Sequence, residues 1–253
     1  MPFNFEHKPA LVAYVTCGDP DMATTREIIL SAANAGASVI ELGVPFSDPL
    51  ADGPVIQRAS QRALLHGTTL ADVIAMAKSL CGEIKAELLI FSYLNPIMRM
   101  GFAKFAEATK DAGIGGALIT DLPVEEADAY LSEMRKRDLA TVFLAAPTST
   151  AQRLKLVANA CTGFVYAVSR TGVTGGVKPS QSDAADLVRR LRKVTKLPIA
   201  VGFGISTHEQ FAAVAEFADA AVVGSAIVEV IERNPGHEAQ SVEKFVRNLL
   251  AKS

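Results

Sequence analysis

Eight short apolar runs recur along the chain: Ala10–Val15, Ser38–Leu42, Leu88–Phe91, Ala117–Ile119, Thr141–Ala145, Phe164–Val168, Pro198–Val201 and Ala220–Val223. They are continuous rather than alternating and rich in Val, Ile and Leu, as strands buried on both faces must be. Segments with helical period separate them. Leu70, Val73, Ile74, Ala77 and Cys81 give an i, i+3, i+4, i+7 series closed by Gly82, and Ile28, Ile29, Ala32 and Ala33 mark a helix over Thr24–Ala35 that stops at Gly36. Further helices are expected near Phe102–Asp111, Glu125–Arg137, Ala151–Ala160, Asp183–Val194, Thr207–Glu216 and Glu238–Ala251. The long interval after the second strand holds Ile56–Leu65 as well, and Ser225–Ile231 reads as a short helix directly after the eighth. Strict βα alternation without a composition break implies an α/β chain folded as a single (β/α)8 TIM barrel over residues 1–253, with extra short helices after strands two and eight. The alternative, an open doubly wound sheet, asks for Gly-x-Gly-x-x-Gly after strand one, where Cys17-Gly18-Asp19-Pro20 stands instead.

Charge and composition remove several function classes. The net charge is −2, and the one basic cluster, Arg189-Arg190-Leu-Arg192-Lys193, reads as a solvated helix face. Neither nucleic acid nor an anionic membrane is called for. No apolar stretch has the length of a membrane span, and the first residues carry neither a signal nor a transit pattern, so a cytoplasmic location is expected. Cys17, Cys81 and Cys161 fall in no metal-ligand spacing and read as reduced packing thiols.

In a barrel of this kind chemistry sits at the C-terminal ends of the strands. Those ends deliver Thr16 and Asp19, then Glu41 and Asp52, Tyr93 and Asn95, Asp121, and then Tyr166, Ser169 and Arg170 ahead of the loop Thr171–Lys178. Strand seven ends in Gly202-Phe-Gly204 and strand eight in Gly224-Ser225, where a helix opens. Glycines at these two ends let backbone N–H groups approach a phosphate, with Gly175 of the strand-six loop closing over it; tight βα turns are the competing explanation, but the two ends together favour a phosphorylated small-molecule ligand. No strand end carries lysine, which disfavours a Schiff-base aldolase. His7, His66, His208 and His237 lie away from the strand ends and form no ligand pair, which disfavours a zinc aldolase and any metal requirement.

Carboxylate acid/base catalysis without a cofactor remains, and Glu41 and Asp52 are the best-placed pair. Glu41 ends a buried strand; Asp52 follows on a loop dense in Pro and Gly, so two environments can separate two carboxyl pKa values. Each has a competing explanation. Glu41 suits a buried ion pair, Asp52 suits a helix N-cap, Asp48 competes with Asp52, and Asp121 suits a turn. The residues alone leave Asp52 open.

The same residues closely resemble the tryptophan synthase alpha chain family. The matching pieces are Gly18-Asp19-Pro20, Glu41-Leu-Gly-Val-Pro-Phe-Ser-Asp-Pro-Leu-Ala-Asp-Gly-Pro54 with Ile56-Gln57, and Tyr93-Leu-Asn-Pro96. Asp121-Leu-Pro123, Val168-Ser-Arg-Thr-Gly-Val-Thr-Gly175, Val201-Gly-Phe-Gly-Ile-Ser206 and Val223-Gly-Ser-Ala226 follow in order. The resemblance implies retro-aldol cleavage of indole-3-glycerol phosphate to indole and glyceraldehyde 3-phosphate in tryptophan biosynthesis. Glu41 and Asp52 become the catalytic carboxylates, Tyr166 and Phe203 the walls of an indole pocket, and Gly175, Gly204, Gly224 and Ser225 the phosphate cradle. Thr174 becomes a partner for Asp52 when the strand-six loop closes. It also implies a beta-chain partner that carries pyridoxal phosphate, in an alpha2-beta2 heterotetramer, with indole passed between the chains. Other readings are a free-standing indole-3-glycerol-phosphate lyase, a phosphosugar isomerase or epimerase, and a non-catalytic binding barrel. One departure is visible: about nine residues precede strand one where the family has a longer N-terminal helix, and Phe3 and Phe5 are expected to serve as a reduced plug.

Overall fold

The computed structural model describes Phe3, Phe5 and residues 7–168, 181–202 and 204–251. Strands β1 (Ala10–Thr16), β2 (Val39–Gly43), β3 (Glu87–Ser92) and β4 (Gly116–Ile119) pair in parallel in chain order. Strands β5 (Ala140–Ala145), β6 (Val165–Val168), β7 (Ile199–Gly202) and β8 (Ala220–Val223) continue the series. Pairing of Ala10–Ala13 with Ala220–Val223 then closes a TIM barrel. All eight expected strands are present, to within a residue or two of their expected ends.

The helices are α1 (Met22–Asn34), α2 (Pro54–Leu65), α3 (Leu70–Ser79), α4 (Leu94–Met100), α5 (Phe102–Asp111) and α6 (Asp128–Lys136). They continue as α7 (Ala151–Ala160), α8 (Gln181–Leu191), α9 (His208–Val214), α10 (Ser225–Arg233) and α11 (Glu238–Leu250). Two helices follow strands two and eight, as expected. The sequence reading missed α4, which directly follows β3. It also merged a 3-10 turn, Val124–Glu126, with α6. The start of α1 is set by Asp21, whose side chain accepts from the Thr24 N–H at 2.8 Å, two residues before the expected start.

Alternation along each strand divides its side chains between two cores. Ile40, Leu42, Ile90 and Ala117 face the helix ring, and Val12, Val39, Leu89, Leu118, Val142 and Val222 fill the barrel interior. Burying one such side chain stabilises by roughly 1.5–3 kcal/mol, so a polar residue in the inward series needs another reason to be there. At the bottom, Phe3 is 2% exposed and meets Phe164 edge-on at 5.5 Å, while Phe5 lies at 5.7 Å from the same ring. Gly163 makes room for this plug, because a Cβ there would come within 2.8 Å of the Phe3 ring.

Charged side chains tie the outer ring together. Arg62 on α2 grips buried Asp19, beyond β1, through two bonds of 2.7 and 2.8 Å, and it reaches Glu232 on α10 at 2.8 Å. Arg58 holds the same Glu232. The basic cluster of α8 is more than a solvated face: Arg190 donates to the carbonyls of Pro147 and Ser149, and Arg192 pairs with Asp219. No helix among the described residues is long and apolar enough to cross a membrane.

Candidate active site

Glu41 belongs to the inward series of β2, between Val39 and Gly43. It is 1% exposed, and neither carboxylate oxygen meets a hydrogen-bond partner among the described residues. Among the described residues the buried ion pair that would have made it structural is not formed. Burial pushes its pKa from 4.5 up to about 8, so it is mostly protonated at neutral pH.

The strand neighbours of Glu41 are arranged around a gap. Tyr14 on β1 lies opposite Glu41, and Phe91 on β3 lies opposite Gly43. The two rings meet at 5.1 Å, nearly perpendicular, beside the bare backbone of Gly43, where any Cβ would overlap the Tyr14 hydroxyl. Across the barrel, Tyr166 packs over Gly202 in the same way, its hydroxyl 2.9 Å from where a Cβ would sit. Burial, with Glu41 and Asp52 nearby, raises the Tyr166 hydroxyl pKa well above its ordinary value.

Asp52 reaches this layer from the loop between β2 and α2. Hydrogen bonds from the Leu50 N–H to the Asp48 carbonyl and from the Asp52 N–H to the Pro49 carbonyl make that loop compact. Gln57 fastens it by donating to the Asp52 carbonyl at 2.9 Å. Asp52 is 8% exposed, whereas Asp48 is exposed and bonded to the neighbouring Ser47 hydroxyl. Nor is Asp52 the cap of α2: the cap position is Gly53, with no side-chain bond. The Asp52 carboxylate instead accepts from the Tyr93 hydroxyl at 3.1 Å. Burial pushes its pKa to about 6, against the lowering effect of that bond. The two carboxyls are thus separated, Glu41 mostly protonated and Asp52 mostly ionised at neutral pH.

Tyr93 is the residue whose role the sequence reading did not find. Its hydroxyl also accepts from the Ala51 N–H at 2.9 Å, and its ring stacks on Phe46 at 4.9 Å. Asp121, one of the strand-end candidates, accepts from the Leu94 N–H at 2.7 Å and so fixes the start of α4. Asp19 is engaged by Arg62. Both are structural.

The last two strands present the helix terminus expected of an anion site. Ser225 is exposed at the first position of α10, Gly224 caps it without a side-chain bond, and no acidic residue lies in its first turn. The start of α9, by contrast, is occupied by its own capping box, Thr207 with Gln210. Gly204 is exposed with φ +80°, a conformation that suits glycine. Thr174, Gly175 and Phe203, together with Ser169 and Arg170, lie outside the described residues. Among the described residues no group of three or more His, Cys, Asp or Glu side chains could hold a metal ion.

A closed parallel barrel of eight strands ringed by helices, with two buried carboxyls of unlike pKa at its mouth, is a (β/α)8 barrel, a fold whose enzymes carry their sites at that end. Comparison with known proteins makes this particular. The family model "Tryptophan synthase alpha chain" matches residues 3–252, and the chain belongs to that family, whose members are lyases of tryptophan biosynthesis. The tryptophan synthase alpha chain of Solibacter usitatus is 50% identical over 96% of this chain and 92% of its own. That of Pelobacter propionicus is 44% identical over 95% and 90%. A structure of Mycobacterium tuberculosis tryptophan synthase superposes with a TM-score of 0.89 at 33% identity, covering 96% of this chain and 91% of that one. A mutant alpha subunit from Pyrococcus furiosus gives 0.88 at 37% identity, covering 96% and 98%.

Proposed function

We propose that this chain, acting as one barrel unit, cleaves indole-3-glycerol phosphate to indole and glyceraldehyde 3-phosphate. The observation that carries the reading is Glu41, a buried carboxyl in the barrel mouth with no hydrogen-bond partner among the described residues, in one layer with an ionised Asp52. Protonated Glu41 delivers its proton to indole C3, leaving a positive charge shared with the ring nitrogen. The Asp52 carboxylate accepts the ring N–H and stabilises that charge. Glu41, now ionised, removes the proton from the adjacent glycerol hydroxyl. The C–C bond breaks, its electron pair returns to the ring to restore indole, and the hydroxyl carbon becomes the aldehyde. One carboxyl gives a proton and recovers one, so it ends the cycle as it began.

Tyr166 and Phe203 wall the indole in this reading. Gly175, Gly204, Gly224 and Ser225 cradle the phosphate, and Thr174 pairs with Asp52 on loop closure. The uncapped start of α10 supports the phosphate position. The barrel itself needs no cofactor for this chemistry. A beta chain carrying pyridoxal phosphate, in an alpha2-beta2 assembly, takes up the indole. Exposed apolar side chains at the mouth support a partner surface: Leu50 is 80% exposed and Met98 60%. Between their elements runs a groove of about 520 Å³ lined by Pro45, Phe46, Pro96 and Arg99.

The test is indole release from indole-3-glycerol phosphate by wild type and Glu41→Gln, with and without an added beta chain. Wild type releases indole, the partner raises the rate, and Glu41→Gln loses about 10²–10⁴-fold, the range for a general acid/base. Wild type releasing nothing even with the partner would overturn the reading.

A further inference from the structure

Tyr14 has no part in the reaction just described, yet it stands in the same layer. Tyr14 and Glu41 are directly opposed on neighbouring parallel strands, so their side chains leave the same face and run side by side into the barrel. The Tyr14 ring leans past Glu41 toward the mouth, and its hydroxyl occupies the space that a side chain at Gly43 would fill. Positions 41 and 43 share that face, about 6.6 Å apart along the strand, and the two methylenes of Glu41 span most of that interval. The hydroxyl accepts from Thr16 Oγ1 at 3.4 Å, and among the described residues its own proton meets no acceptor. The oxygens of Glu41 meet no donor among those residues either. A buried donor and a buried acceptor are therefore both unspent, one side chain apart, and each is costly to leave so.

We propose that Tyr14 is a positioning residue for Glu41: its hydroxyl, admitted to the barrel mouth by Gly43, donates to the Glu41 carboxylate once that carboxylate is ionised. The inference rests on the acid/base role proposed for Glu41 and specifies how the proton-poor form, formed midway through the cycle, is held. Thr16 completes the chain by donating to the hydroxyl oxygen of Tyr14, which strengthens the onward bond. The other titratable groups facing Glu41 among the described residues are Asp52 from the loop after β2 and Tyr166 from β6. Tyr93 is engaged with Asp52, and buried Cys17 lies beyond Tyr14. Leu89, its neighbour on β3, does not titrate. Tyr14 is the uncommitted donor on the strand adjoining Glu41.

The experiment titrates the Glu41 carboxyl by 13C NMR in ligand-free protein labelled at glutamate side chains, with the signal assigned by its loss in Glu41→Gln. Wild type, Tyr14→Phe and Gly43→Ala are compared, and the pH dependence of indole release is recorded for each. A donor to an ionised carboxylate lowers its pKa, so losing it raises the Glu41 midpoint by about one pH unit, tenfold in the protonation constant. Tyr14→Phe keeps the ring, and Gly43→Ala keeps the hydroxyl but displaces it; both are expected to show the rise, with the pH profile moving in parallel. An unmoved midpoint in Tyr14→Phe overturns the proposal, even if turnover falls, because the ring alone then explains the residue. The titration needs no turnover, so a wild type that released no indole would count against the proposed reaction and not against this contact.

Discussion

The two ends of the barrel employ aromatic rings for opposite purposes. At the bottom, Phe3, Phe5 and Phe164 pack ring on ring into an apolar plug with nothing left to pair. At the mouth the rings belong to Tyr14, Tyr93 and Tyr166, three of the four tyrosines in the chain, and their hydroxyls surround two carboxyls. Phenylalanine closes one end at no polar cost. Tyrosine gives the other end the same bulk, so water is displaced, while adding a polar tip that must find a partner. The difference shows where the fold accepts a thermodynamic penalty: at the mouth a carboxyl is kept without a hydrogen-bond partner among the described residues, and the closed end offsets it by packing.

That contrast can be broken most strongly at Glu41. Its folded-state pKa of about 8 lies above its ordinary 4.5. The group therefore contributes stability fully below about 4.5 while it stays protonated, and loses that contribution as pH rises through about 8. Urea unfolding of wild type and Glu41→Gln at pH 5 and pH 9 should show wild type losing several kcal/mol relative to the variant at the higher pH (on the order of 1.4 kcal/mol per pKa unit). A difference independent of pH would show that burial does not hold Glu41 protonated. Asp52, raised to about 6, acts in the same direction over a lower and narrower window.

The opposite end gives the next largest effect. Phe3→Ala empties the plug and should cost about 3 kcal/mol in the same unfolding assay. Its kcat should stay within twofold of wild type, since nothing in the plug reaches the carboxyls. A large fall in kcat at full folding would mean that the ends are coupled. The smallest effect sharpens the comparison within the mouth. Tyr93→Phe keeps the stack on Phe46 but removes the donor to Asp52, and should lower kcat by about tenfold, the worth of one hydrogen bond to a charged group. Activity equal to wild type would assign Tyr93 to packing alone.

Much of this was legible in the sequence, for identifiable reasons. Strands buried on both faces announce themselves by composition, so every barrel strand could be read from its own residues. Glu41 could be singled out because it interrupts such a run. What escaped depends on contacts distant in sequence. Helix α4 begins with Leu94-Asn95-Pro96, a poor local start, and is fixed instead by Asp121, 27 residues away. Tyr93 acquires its role only because the loop folds Ala51 and Asp52 back over it, across 41 residues. The choice between N-cap and free carboxylate at Asp52 turned on one residue of helix phase, with Gly53 taking the cap, finer than periodicity resolves.

Arg62 has a further consequence. Its fork joins Asp19, just beyond β1, to Glu232 on α10, while its own helix begins directly behind Asp52. In the proposed reaction the carboxyls act at one end of the substrate and the start of α10 receives the other. A single guanidinium thus ties the last turns of α2 and α10, the two helices whose first turns flank the barrel mouth, to the end of β1.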